Sequence, residues 1–215
     1  MITKSQKSGE FDANDAAAAH EGGRARSVGL AGLSRLEKLI AGDGHRAPAP
    51  VERWNPPYCG DIGLSIARDG TWAYRGSPIN RPALVKLFAS VLRRDDDGRH
   101  YLVTPAEKVD VAVEDAPLLS VEMDVIGEGA AHAQVLVMRT NLDDVVWVGN
   151  ANPLRFATGA NGGLKPYVLI RGRIEALATR ALTYDLAALV VEDDAGRHGV
   201  WSGGAFFAIP QSQTP

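Results

Sequence analysis

GSPINRPALVKLFASVLRRDDDGRHYLVTPAEK, residues 76–108, sets out a whole folding unit in order: capping chemistry, an apolar stripe, a turn and a strand. Ser77-Pro78 and Asn80-Arg81-Pro82 read as a helix start, where the missing N–H of proline costs nothing since the first-turn donors are unpaired anyway. Leu84, Leu87, Phe88, Val91 and Leu92 recur at helical spacing and predict one buried face, with Lys86, Arg93 and Arg94 left wet. Asp95-Asp96-Asp97-Gly98 then ends the helix. Tyr101-Leu102-Val103 is a short β-favouring run that Pro105 closes.

A second stretch farther along the chain repeats the order of parts. Ile170-Arg171-Gly172 reads as opening a second helix through Ile174, Leu177, Ala178, Ala181, Leu182, Leu186 and Leu189, and Asp193-Asp194-Ala195-Gly196-Arg197-His198 leads into Val200-Trp201. The first unit has Arg75-Gly76 before its helix and Gly98-Arg99-His100 after it. The matched punctuation points to duplication of a strand–helix–strand unit. Arg-Gly and acidic-glycine turns are also common by themselves, so the match is an expectation for the structure to meet.

Residues 1–28 are polar and small, with too little apolar surface to offset the entropy of ordering, and read as a disordered tail. Residues 29–58 read as a docking helix followed by a Pro-rich crossing segment: Leu30, Leu33, Leu36, Leu39 and Ile40 form an amphipathic stripe, and Pro48, Pro50, Pro56 and Pro57 favour extended backbone. Trp54 and Tyr58 are expected to anchor it by burying large area or, as exposed aromatics beside prolines, to line a ligand groove. A first α+β module is expected over 59–117, with a hairpin turning at Asp69-Gly70 and a strand alternating Val109, Val111 and Val113 against polar residues. A second, larger module is expected over 118–210, with strands at meander spacing before its helix. The fold class is α+β: two related modules of antiparallel sheet, each with one main helix.

Composition narrows the function classes. The chain has 215 residues, 45% hydrophobic and 23% charged, with a formal net charge of −3, which is an ordinary globular profile with no basic field for nucleic acid. The single Cys59 cannot form an internal disulfide, which fits a reducing cytoplasm. No apolar run reaches the length of a membrane span, and no secretory signal pattern begins the sequence.

Several ordered short motifs carry a resemblance. Asn55-Pro56-Pro57, Cys59-Gly60-Asp61, Asp69-Gly70-Thr71-Trp72, Gly76-Ser77-Pro78-Ile79, Tyr101-Leu102-Val103-Thr104-Pro105, Arg139-Thr140-Asn141, Lys165-Pro166-Tyr167 and Gly199-Val200-Trp201-Ser202-Gly203-Gly204 resemble, in this order, a bacterial family catalogued as a domain of unknown function. The resemblance spans residues 30–210. It implies a duplicated α+β core, a second domain superficially similar to the pleckstrin-homology fold, a ligand site between the domains, a nucleotide-like ligand and a signalling role. Gly63-Leu64-Ser65 stands where relatives are expected to carry polar, charged residues, and Asn152-Pro153 replaces an expected His-Pro.

If the two modules meet in a cleft, Arg75, Arg81, Lys108, Arg139, Arg171 and Arg173 are candidate cationic rims for a small anionic ligand. Arginine presents a planar fork matched to phosphate oxygens. Ser77, Thr140, Asn141 and Ser202 add donors, Trp201 or Trp72 offers a stacking face, and helix starts after Gly76 and Gly172 would add backbone N–H groups. The alternative is that these arginines pair with Asp61, Asp110, Asp124 or Glu175. A protein-interaction module without small-molecule ligand is the second reading. An enzyme is the third: Cys59 has no histidine placed beside it by sequence, no catalytic motif is present, and the histidines show no metal-ligand spacing. Gly159-Ala160-Asn161-Gly162-Gly163 lacks the lysine of a P-loop, and Trp201-Ser202-Gly203-Gly204 lacks the following helix of a nucleophile elbow.

Overall fold

Short β-favouring runs separated by glycine turns build the first module. The computed structural model describes residues 49–127 and 131–210, so the expected tail and docking helix lie outside the described residues. β1 (Leu64–Ile66) and β2 (Trp72–Tyr74) form a hairpin with Leu64 opposite Tyr74. Its turn closes because Gly70 adopts φ +81 and Asp69 Oδ1 accepts the Thr71 N–H at 2.9 Å. After β3 (Ser77–Pro78) comes α1 (Pro82–Ser90), with proline in its first turn and Leu84, Phe88 and Ala89 buried. β4 (Leu92–Arg94), β5 (His100–Val103) and β6 (Lys108–Val113) follow, giving the sheet order β3-β2-β1-β6-β5-β4. β6 runs parallel to β1 and the other neighbours are antiparallel.

The second module begins with β7 (Leu118–Ile126), β8 (Val135–Thr140) and β9 (Val145–Trp147). It continues with β10 (Leu154–Thr158), β11 (Leu164–Arg171), β12 (Ile174–Ala178), α2 (Arg180–Ala188), β13 (Val191–Glu192), β14 (His198–Ser202) and β15 (Ala205–Ala208). The main sheet is ordered β10-β11-β12-β7-β8-β9, with β12 parallel to β7, and β13-β14-β15 form a small sheet of their own.

The duplication is present as a repeated order of elements. β1-β2-β3, α1 and β4-β5-β6 correspond to β10-β11-β12, α2 and β13-β14-β15, with Arg75-Gly76 and Arg171-Gly172 turning the equivalent hairpins. In the first copy β6 hydrogen-bonds to β1 and joins all the strands in one sheet. In the second, β15 lies against β10 without a ladder, and the β7-β8-β9 meander adds to β12 instead.

Four sequence expectations are corrected. Ile174, Leu177 and Ala178 are not helical: they form β12, whose edges pair with β11 and β7 and whose residues other than Glu175 are buried, and the helix begins only after Thr179. Val91 and Leu92 also leave the first helix, which stops at Ser90 so that Leu92 can pair with Leu102; Asp95-Asp96-Asp97-Gly98 turns a hairpin rather than ending a helix. Gly76 and Gly172, at φ +76 and +50, close hairpins, so no helix N-terminus follows directly on either, and Ser77-Pro78 is strand. The sheets, expected to be antiparallel, each contain one parallel pair.

One contiguous apolar core runs through both modules. Phe88 and Leu92 from the first pack in the same cluster as Leu118, Ile174 and Leu186 from the second. Among the described residues no helix is long and apolar enough to cross a membrane.

Candidate functional site

The crossing segment is placed by a single buried arginine. Arg93 on β4 donates from Nη1 to the carbonyls of Val51 and Trp54 at 2.7 and 2.8 Å, and its Nε meets Asp95 Oδ1 at 2.5 Å. This holds the 3-10 turn Val51–Arg53 against β4. Farther along, the Tyr58 hydroxyl donates to Asp110, which also accepts from Arg99 Nη2 at 2.5 Å. Asp110 is therefore buried and satisfied, and on the face of β6 expected to be wet Lys108 is half-buried and only Ala112 is exposed.

A groove of about 610 Å³ opens where the modules meet, between this segment, the β4–β5 turn and the β11–β12 turn. Trp54 and Asn55 line it from the crossing segment, Arg94 and Asp96 from the first module, and Gly172 and Arg173 from the second. Its acids are not equivalent. Burial works to raise the Asp95 carboxyl, but hydrogen bonds and charge from Arg93 and Lys108 outweigh it and hold the group below its ordinary value. The Tyr101 hydroxyl donates to Asp97 at 2.5 Å, which lowers the acid and pushes the phenol up to about 12. Asp96, 90% exposed, pairs with Arg173 across the seam, and Glu52 is a further exposed acid on the groove wall. Arg94 Nη1 lies 4.0 Å from Glu175, itself clamped by Arg155 at 2.5 and 2.6 Å.

The sequence-predicted site residues divide into groups. Arg173 lies in the groove. Lys108 borders it through its 3.0 Å contact with Asp95, and its ammonium sits 4.4 Å from the Tyr101 ring centroid. Arg139, Thr140, Asn141 and Arg171 gather at another part of the seam. Arg139 is held by Glu122 and Asp143, both of which raise its already high pKa, and Asp143 also takes Lys86 from α1. Thr140 is buried, its Oγ1 accepting from the N–H groups of Leu142 and Asp144; Asn141 Oδ1 accepts from Leu119 at 3.0 Å. Arg171 Nη2 donates to the Ala89 carbonyl at the end of α1 at 2.5 Å, and its Nη1 is 3.4 Å from Asp144.

The others stand elsewhere. Arg75 and Ser77 lie at the β2–β3 turn, on the edge of the first sheet opposite β4, with the Arg75 guanidinium over the Tyr74 ring at 5.2 Å. Arg81 is the N-cap residue of α1, where its carbonyl accepts from Leu84 and Val85. Ser202 is buried, donating to Val148 O at 2.7 Å and accepting from Leu136 N–H. Trp201 stacks obliquely on Phe206 at 5.1 Å, beside a second cavity of about 680 Å³ whose wall includes Asp193, Asp194 and Arg197. Trp72, proposed as a stacking face, is buried in the core against Phe88 and cannot meet a ligand.

Sequence reasoning missed Arg94 and Asp96, whereas Trp54 lines the groove, one of the two roles expected of it. Glu122 and Arg139 did carry a signal, since cross-strand partners on β7 and β8 share a face once the register is known. Cys59 is exposed and donates weakly to Pro57 O at 3.6 Å. Among the described residues, no group of three or more His, Cys, Asp or Glu side chains is gathered as for a metal ion.

Comparison with known proteins completes this picture. Residues 49–116 match the model described as "Domain of unknown function (DUF1285), N-terminal domain", and residues 117–209 match the corresponding C-terminal domain. A crystal structure of a DUF1285 family protein from Silicibacter pomeroyi DSS-3 is 46% identical, with a TM-score of 0.73 over 81% of this chain and 95% of that one. The chain belongs to the DUF1285 family. A second DUF1285 structure, from Shewanella baltica OS155, is 28% identical over 59% of this chain and 91% of that one, with a TM-score of 0.45. No curated protein matches the chain. The resemblance read from the ordered motifs is thus the correct family, and the groove of this DUF1285 protein falls where its two domain models adjoin in space.

Proposed function

We propose that the protein is a ligand-responsive regulator, acting in a cytoplasmic signalling context, which holds a small anionic, nucleotide-like molecule in the groove between its two modules. The Arg173–Asp96 pair carries this reading. It spans the groove from one module to the other, yet 56% and 90% of the two side chains are exposed, so the pair contributes little stability and a phosphate can take the place of Asp96 on the guanidinium. Arg94 approaches from the other wall and Trp54 offers an aromatic face for a base. Binding would link β4 to the β11–β12 turn, making the relation between modules sensitive to occupancy. Module boundaries at 59–117 and 118–210, a docking helix within 29–58 and a superficial pleckstrin-homology likeness of the second module belong to the same reading.

Thermal melting with a panel of nucleotides tests it. A ligand at about ten times its Kd should raise Tm by roughly 3–5 °C, and Arg173→Ala should abolish the rise while Arg139→Ala preserves it. No shift with any nucleotide at millimolar concentration counts against the proposal. A second reading, an interaction module without small-molecule ligand, is favoured by the closed seam around Arg171, where Ala89 and Asp144 already occupy the guanidinium.

A further inference from the structure

β9 is an edge strand, and its outward side is unusually apolar. Thr140 N–H donates to Asp144 O at 2.8 Å and Val148 N–H to Leu136 O at 2.8 Å, so the even-numbered residues of β9 hydrogen-bond inward to β8. The N–H and C=O groups of Val145 and Trp147 consequently point away from the sheet. Their side chains share one face and are 56% and 59% exposed. On β8 and β7 that face carries the Arg139–Glu122 pair beside Val145 and Asp124 beyond Val137, and turns apolar toward Val135 and the 45%-exposed Ile126, so the exposed apolar surface is centred on β9 itself. Among the described residues no further strand pairs with this edge, and an open edge beside large exposed apolar groups is a template for strand pairing.

We propose that β9 pairs with β9 of a second copy of this chain, antiparallel about a two-fold axis through Val146. The edge is self-complementary in that register. Val145 falls opposite Trp147 of the other copy and Trp147 opposite its Val145, so the outward groups of both residues form two hydrogen-bonded pairs, four bonds in all. Each Trp147 ring then packs on the facing Val145. Charge fits as well, because Asp144 meets Val148 and Asp143 meets Gly149, with no acid facing its own copy. Moving the axis to Asp144 would bring the two Asp144 residues face to face and forfeit the Trp147 pairing. The two main sheets would join into one continuous sheet, with β9 and its copy at the centre.

Sedimentation of the full chain from micromolar to millimolar concentration is the test. The mass should rise from 22.9 kDa to twice that value, and Trp147→Lys should keep it at the lower value. Val145→Pro should do the same with Trp147 in place, because it removes an outward N–H and leaves the bonds to β8 intact. Val146→Cys in a Cys59→Ser background reports register: the residue faces its own copy in a non-hydrogen-bonded pair about 4.5 Å apart at Cα, within disulfide reach, so oxidation should yield a covalent dimer. A monomer at every concentration overturns the proposal, as does a dimer that survives both Trp147→Lys and Val145→Pro. If removing residues 1–48 turns a monomer into a dimer, the face is covered by the chain's own segment around residues 30–40, and the proposal fails in the full chain.

Discussion

His100 shows how a single residue sets a condition on the fold. It pairs with Arg94 across β4 and β5, and burial, assisted by the Arg94 charge and opposed by Glu175, lowers its pKa from 6.5 to about 4. The unfolded chain therefore takes up this proton first. Stability is complete above about pH 6.5 and falls as pH drops toward 4, where the folded protein protonates too. The loss should be roughly 1–2 kcal/mol, allowing for solvent screening of a partly exposed ring. Urea midpoints taken between pH 7 and 4 should fall steeply for the native chain and stay flatter for His100→Gln. Equal slopes would exclude His100 as the source. Carboxylates held low by their partners, such as Asp95 and Asp193, act in a separate window, giving up their contribution only below the ordinary carboxylate range. Trp72 sets a different residue-scale constraint: its indole N–H is buried without an acceptor, a cost the packing against Phe88 must offset.

Among the elements, the two helices are copies with different starts. α1 opens on Arg81, whose side chain makes no cap bond, and relies on Pro82 to fix its first turn. α2 opens on Thr179, whose Oγ1 accepts the Leu182 N–H at 3.5 Å while its carbonyl accepts the Thr183 hydroxyl. Thr179→Ala should cost about 0.5–1 kcal/mol, the low end for an N-cap because the bond is long. Chemical denaturation of the variant measures this, and an unchanged midpoint would show that the cap adds nothing to α2. The periodicity of both helices was readable, but their edges were not. Ile174 to Ala178 and Val91-Leu92 extend the helical pattern into strand, because short apolar runs satisfy both periods and only a paired neighbour selects one. The Asp69-Gly70 turn was more legible, because Gly70 sits at φ +81, which leaves few residue types free; Asp97-Gly98 was recognisable as a break in the chain but not as a hairpin.

For the whole molecule, the decisive fact is that the core does not stop at the seam. Buried Leu118 opens the second module in the same cluster as α1, and Lys165 and Tyr167 reach across to Asp115. Two modules that share a core should melt together. Calorimetry should give one transition with equal calorimetric and van't Hoff enthalpies; two resolved transitions would show that each module holds its own core. The same closure explains the fate of the candidate cations. Arg139 and Arg171 were recognisable as seam residues, but their partners Glu122, Asp143, Asp144 and the Ala89 carbonyl arrive from turns and a helix end that no local pattern places.

Legible in the chain alone were the repeated order of parts, the family and the Asp69-Gly70 hairpin, because turn residues and alternating apolar residues act over a few neighbouring positions. Only tertiary contacts decided which strand joins which sheet, why β6 completes a sheet when β15 does not, which arginine stays exposed at the seam, and which strand lies at the edge of the second main sheet. Those outcomes depend on contacts between residues far apart in the chain, and such contacts leave no periodic trace in it.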